Sequence, residues 1–365
     1  MLPFFTEGGF NPSSLHEEGR RARSAVDLAR ERSAAILGAR AKEIVITGGG
    51  SEADNLALFG VARALAGRGK HIVSTRIEHH AILHALDILA GEGWSIEYLD
   101  VDERGLVSAP AFAAALREDT VLASVMLANN EIGTLEPVAE LAAIARMRGV
   151  FFHTDAVQGP AYLDVNTKTL GVDLLSISAH KFYGPKGVGA LYVREGTPLA
   201  PMLVGGAQEF SKRAGTENVA GIVGMAKALE LAAGERAETA LRVGGLRDRF
   251  EQAIGAALDD VRINAGGVPR LPSISNISFA GVDADALVMR LDLEGAAIST
   301  GSACAAGSLE PSHVIAALGL EPRWLRAAVR FSFGRSTNRE QIDRLAALVA
   351  SVVTELRQLS LPSTY

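Results

Sequence analysis

The chemistry this chain can do is concentrated in three stretches that carry a lysine, a carboxylate and a cysteine. Ser176-Ile177-Ser178-Ala179-His180-Lys181 leaves an apolar, strand-like segment and enters the Gly/Pro loop Tyr183-Gly184-Pro185-Lys186-Gly187. A lysine placed there can form a Schiff base with an aldehyde. Phe151-Phe152-His153-Thr154-Asp155-Ala156-Val157-Gln158 repeats the plan, an apolar run ending in a polar tip with a carboxylate. An amine to bind an aldehyde, with an acid to keep a pyridine nitrogen protonated, is what a pyridoxal phosphate (PLP) enzyme requires, because the protonated ring is its electron sink. Ser302-Ala303-Cys304-Ala305-Ala306-Gly307 holds the chain's only cysteine. Together the three stretches point to sulfur chemistry on an amino acid.

Three further constellations follow strand-like runs. Thr47-Gly48-Gly49-Gly50-Ser51-Glu52 enters an apolar helical stretch, so its amides and the helix's positive end suit a phosphate, although a plain turn reads as well. Its spacing matches neither the dinucleotide fingerprint nor the P-loop. Thr75-Arg76-Ile77-Glu78-His79-His80 offers an imidazole that could stack on a cofactor ring and move protons, with His79 preferred over His80 and a structural histidine as the plain alternative. In Leu127-Ala128-Asn129-Asn130-Glu131, Asn129 reads as an Asx turn capping the next helix, while Asn130 is free to donate to a substrate carboxylate or a cofactor hydroxyl.

The elements that must hold these groups are legible in the apolar pattern. Short β-rich runs at 43–47, 71–75, 95–99, 121–126, 150–153 and 173–177 alternate with helical spacing such as 136–148, which predicts a mostly parallel sheet with helices on both faces. Catalytic groups belong at the carboxyl ends of such strands. From about Glu235 the texture changes to a long amphipathic helix, strands at 276–279 and 329–333, and a closing helix from Asn338, read as a smaller α+β domain. The expected division is 10–234 for a large cofactor-binding domain and 235–365 for the small one, with residues 1–9 packing near the latter. With 48% hydrophobic residues the chain can bury a large core, and a net charge of −6 with no basic run argues against a nucleic-acid or membrane-surface role. One cysteine allows no internal disulfide, and neither an export signal nor a long apolar run is visible, so the expected location is the cytoplasm.

The chain resembles the cysteine desulfurases, PLP enzymes of aminotransferase class V with the fold-type I architecture, from about Asn11 to its end. The likeness is carried by Asn11-Pro12-Ser13-Ser14-Leu15-His16, Asn129-Asn130-Glu131-Ile132-Gly133, His180-Lys181, Arg213-Ala214-Gly215-Thr216, Gly301-Ser302-Ala303-Cys304 and Arg330-Phe331-Ser332-Phe333-Gly334-Arg335. The resemblance implies a seven-stranded-type sheet in the large domain. It also implies that Lys181 carries the cofactor, Asp155 pairs with the ring nitrogen, Gln158 contacts the ring hydroxyl, and His79 stacks on the ring. Gly50, Ser51, Ser178 and His180 would hold the phosphate, and Thr216 would reach the phosphate of a partner subunit, so a homodimer is expected. Asn130 and Arg330 would bind the carboxylate of L-cysteine, a bidentate task that suits guanidinium. Cys304 would take the sulfur as a persulfide and pass it to an acceptor such as an iron-sulfur scaffold protein, leaving alanine; no metal is implied.

Three departures accompany the likeness. Relatives begin with an additional segment that lines the active-site mouth, and its absence is expected here; Phe10 stands where a glycine usually precedes the asparagine, and Ala179 where a glycine is common. Two other readings use the same residues: another class V aminotransferase or lyase, which has no need of Cys304, and a PLP-binding partner in a sulfur-transfer complex that turns over little or nothing.

Overall fold

Seven short strands, nearly all buried along their length, form the main sheet: β1 (Ile44–Thr47), β2 (His71–Thr75), β3 (Ser95–Leu99), β4 (Thr120–Ser124), β5 (Phe151–Asp155), β6 (Leu174–Ser178) and β7 (Gly189–Val193). The computed structural model describes residues 1–7, 10–301 and 311–360. The strand order is β1-β7-β6-β5-β4-β2-β3, with β6, β5, β4, β2 and β3 parallel and β7 antiparallel to both its neighbours. Burial on both faces explains why β4 and β6 read as mostly apolar runs with no alternating polar face, while the edge strand β3 carries exposed Ser95. β7 is absent from the strands expected by sequence. The loop before it is too short for the helical crossover a parallel neighbour needs, so the chain folds straight back on β6 as a hairpin.

The helix Gly50–Leu65 is apolar around most of its circumference and sits in the core, where Leu56, Leu58 and Phe59 join Val45, Ile72 and Leu122. Each such fully buried side chain contributes roughly 1.5–3 kcal/mol. This helix and the sheet belong to the first of two compact units, made of residues Met1–Leu99, Ser108–Leu127 and Glu136–Arg236.

The second unit comprises Asp100–Val107, Ala128–Leu135 and Ala237–Tyr365. Its sheet is antiparallel, β8 (Val261–Ile263), β9 (Ile274–Phe279) and β10 (Ala328–Ser332), in the order β10-β9-β8. Phe250, Phe331 and Phe333 pack its core, with ring centroids of 4.7 and 5.5 Å from Phe250 to the other two. The closing helix Arg339–Ser360 begins with a reciprocal cap, in which Gln341 N donates to Asn338 Oδ1 at 2.9 Å and Asn338 N to Gln341 Oε1 at 3.0 Å.

The units differ from a linear division in two respects. Residues 128–135 group with the second unit because their backbone pairs there: Thr134 bridges Arg270, and Leu271 N donates to Gly133 O at 2.8 Å. Residues 1–7 group with the first unit, where Met1 packs over Gly224. The long helix also starts earlier than the sequence pattern suggests, running Val219–Ala257 and through the point of division. Among the described residues no helix is long and apolar enough to cross a membrane.

Candidate active site

In the first unit, the tips of β1, β5 and β6 press on one glycine turn. Gly49 has φ 153°, which favours glycine, and a Cβ on Gly50 would lie 2.8 Å from Val157 Cγ2 and 3.4 Å from Ser178 Cβ. No larger residue fits, so the backbone amides at Gly50 and Ser51 open the helix at its positive end beside Ser178. Ser178 Oγ lies 3.0 Å from His180 Nδ1. The neighbouring Glu52 braces the turn: it accepts from Gly48 N at 2.7 Å and pairs with Arg213 at 2.7 Å, which ties down the loop carrying exposed Thr216.

Asp155 ends β5 and is 7% exposed, with Oδ1 accepting from Val157 N at 2.9 Å. Burial pushes its carboxyl up to about 6, against the pull of the Val157 N–H and the Lys181 ammonium. Lys181 lies in the single 3-10 turn Ala179–Phe182 that follows β6, the strand hydrogen-bonded to β5. Gln158 is half-buried in the turn after Asp155. His79 caps the helix His80–Gly91, its Nδ1 accepting from Ala81 N at 3.1 Å, so the neutral ring carries its proton on Nε2. His80 instead stacks on His84 at 5.0 Å.

Behind these groups stands a buried polar layer that the sequence reading did not assign. His153 bonds Ser124 Oγ at 2.9 Å and Ser176 Oγ at 3.0 Å, and its Nε2 lies 3.7 Å from Asp54. Burial holds the His153 ring down to about 3, so it is neutral. Burial, then the charge of Asp155, raises Asp54 well above the usual carboxyl range, and burial does the same to Glu78. The available signal was polar residues inside otherwise apolar strands, namely Ser124, His153 and Ser176.

The donor set in this unit fits PLP. An amine, an anion cradle and a buried carboxyl whose ionised form needs a cationic neighbour are what the phosphate, aldehyde and ring nitrogen of that cofactor require. Among the described residues no group of three or more His, Cys, Asp or Glu is arranged to hold a metal ion.

Asn130 and Arg330 lie in the second unit. Asn129 makes the expected Asx turn, its Oδ1 accepting from Glu131 N at 2.8 Å and Ile132 N at 3.0 Å, but it caps no helix; the next one begins at Val138. Arg330 Nη1 donates to Asn130 O at 2.9 Å. Its Nε is buried without a partner among the described residues, and burial lowers its affinity for the proton. Cys304 lies outside the described residues.

The aminotransferase class-V family model matches residues 1–345. The chain is 48% identical over 360 residues to a cysteine desulfurase IscS of Dictyoglomus turgidum, covering 99% of this chain and 91% of that relative. Among solved structures it is similar to a NifS-like protein, with a TM-score of 0.90, 34% identity and coverage of 97% of this chain and 94% of the other. It is also similar to a structure described as SspA in complex with cysteine, with a TM-score of 0.81, 36% identity and coverage of 91% and 93%. The order of strands, the strand-tip lysine and acid, and a match of this extent lead to one conclusion: the chain belongs to the aminotransferase class-V family, among its PLP-dependent cysteine desulfurases.

Proposed function

We propose that the chain converts L-cysteine to L-alanine and takes the sulfur as a persulfide on Cys304. The observation that carries this reading is the placement of Lys181 and Asp155 at the ends of adjacent parallel strands, beside the Gly50–Ser178–His180 cradle. PLP, when bound, supplies the electron sink for the pair released from the substrate. Lys181 Nζ would hold the cofactor through its aldehyde and could serve as the base for the substrate's α-proton. Asp155 would pair, ionised, with the protonated ring nitrogen, and Gln158 would take the ring hydroxyl. His79, fixed by its cap, would stack on the ring and could pass a proton from Nε2. Asn130 and Arg330 hold the substrate carboxylate. The Cys304 thiolate attacks the substrate sulfur, so an S–S bond forms as the C–S bond breaks, and a proton at the β-carbon completes alanine.

The neighbour described as holding cysteine supports that substrate. Thr216, exposed on a loop held by Arg213, serves the phosphate of a second copy, which makes the active form a homodimer. The sulfur acceptor is an iron-sulfur scaffold protein, and the setting is the cytoplasm, without nucleic acid or membrane. Cys304→Ala tests the assignment. It is expected to bind PLP and cysteine as the wild type does and to release no sulfide in the presence of a reductant; undiminished sulfide would remove Cys304 as nucleophile and favour a simple lyase.

A further inference from the structure

The hydrogen bonds of Arg330 within the second unit show which part of its fork is left for a substrate carboxylate. Nη1 is spent on Asn130 O, at 2.9 Å. Nε is buried with no partner among the described residues. Nε and Nη2 share one edge of a guanidinium, and that edge grips a carboxylate side-on with two parallel bonds. Arg249 holds Asp343 in this way, with Nε 2.5 Å from Oδ1 and Nη2 2.9 Å from Oδ2. The bond from Nη1 to a main-chain carbonyl therefore leaves the side-on edge of Arg330 for a ligand.

The carbonyl that fixes this orientation is itself held. Arg330 on β10 stands directly opposite Asn276 on β9, so the two side chains share a face of the sheet. They reach consecutive carbonyls of one stretch: Arg330 takes that of Asn130, and Asn276 Nδ2 donates to that of Glu131 at 3.1 Å. Asn276 is oriented in turn by Asn264, whose Nδ2 donates to Asn276 Oδ1 at 2.7 Å and to Ser278 Oγ at 2.9 Å. The main chain locks the pair, with Asn264 N donating to Asn276 O at 2.8 Å. Both amides are fully buried. A three-stranded sheet needs no buried amides for its main-chain pairing, and apolar side chains would cost less to bury there.

We propose that Asn276, aligned by Asn264, is a positioning residue for substrate recognition: it holds the main chain at 130–131 where Asn130 O engages Arg330 Nη1, so that Nε and Nη2 face the carboxylate of the amino acid. The proposal rests on the reading of Arg330 as carboxylate binder. Its function is selectivity for an amino acid over a plain amine. Without the brace the Asn130 carbonyl is free to shift and the guanidinium has several arrangements to choose among, so ordering the two-bond grip costs more on binding.

The experiment uses the PLP-loaded enzyme and compares the affinity for L-alanine with that for ethylamine, the same amine without the carboxylate, each read from the cofactor absorbance. In Asn276→Ala the affinity for L-alanine is expected to fall about tenfold, as for one charge-assisted bond lost, while that for ethylamine stays within about twofold. Asn264→Ala is the second variant. It keeps Asn276 and the strand pairing, loses only the bond that orients the amide, and should lower the ratio of the two affinities about threefold. A wild-type ratio in Asn276→Ala, or in Asn264→Ala where the first variant does not fold, would overturn the proposal, as would an equal loss for both amines. Failure of the underlying reading looks different: Arg330→Gln would then keep the wild-type ratio. A ratio that collapses in Arg330→Gln and stays unchanged in Asn276→Ala leaves that reading standing and removes the brace alone.

Discussion

The two units hold their functional groups by opposite means. In the first, Asp155 and Lys181 stand at the ends of β5 and β6, interior strands with neighbours on both sides and a buried polar layer of Ser124, His153 and Ser176 behind them. In the second, Arg330 sits on β10, the edge of a three-stranded sheet, and its free side is met only by the short bridge to Ser299 among the described residues. An interior strand tip gives a fixed position and a tuned charge. An edge strand leaves one side open, and here Arg330 is met by the backbone of Ser299 and by Asn130 O. The difference teaches that Asp155 and Lys181 are backed by sheet on both sides, while Arg330 depends on fewer backbone partners.

The sharpest way to break this contrast is Lys181→Ala. It is expected to abolish turnover and the visible absorbance of the cofactor-linked lysine, with the fold intact, because an exposed loop lysine contributes little to stability. Borohydride labelling of Lys186 or Lys212 in place of Lys181 would contradict the assignment. Arg330→Lys tests the other end: a point charge replaces a planar fork, and loss of one charge-assisted bond worth about 1.5–3 kcal/mol should raise the KM for cysteine roughly tenfold or more. The cofactor spectrum in the absence of cysteine should not change, since Arg330 is assigned to the substrate carboxylate and to no part of the cofactor.

The smallest effect concerns pH and distinguishes the buried layer from the site it supports. His153 is held at about 3 against an ordinary 6.5, so the unfolded chain binds a proton that the folded one refuses. Stability from this group is therefore lost as pH falls from 6.5 towards 3. Asp155 works the other way in cofactor-free protein, because its carboxyl is raised to about 6 from 3.8 and stability falls as pH rises through that interval. Denaturant midpoints of cofactor-free Asp155→Asn are expected to exceed the wild type's at pH 7 and to converge with it near pH 4, whereas His153→Gln flattens the acid limb below pH 6.5.

Much of this arrangement was legible in the sequence because apolar runs bounded by polar tips are a strong signal. Strands β2 and β3 have the limits the pattern gives, and β4, β5 and β6 differ by a residue or two. β7 escaped because its direction is decided by loop length, and Gly189-Ala190-Leu191-Tyr192-Val193 alone does not announce a hairpin. The early start of the helix at Val219 escaped because Gly221 and Gly224 read as breakers, although packing of Met1 over Gly224 uses the missing side chain. The place of Lys181 and Asp155 at strand ends could be read from their context, but the burial of Asp54, Glu78 and Glu131 could not: a buried carboxyl looks like any surface acid until the fold supplies its neighbours. For the same reason the linear reading could not foresee that Asn130 shares a unit with Arg330, since that depends on backbone pairing between residues far apart in the chain.

As a desulfurase, the enzyme takes the sulfur of cysteine and releases alanine. The most direct measurement incubates the purified PLP-loaded protein with L-cysteine and a reductant, and quantifies alanine and sulfide in the same sample over time. Equal amounts of the two, rising together, are the expected result. Pyruvate and ammonia in place of alanine, or no product from a protein that binds both PLP and cysteine, would contradict the account.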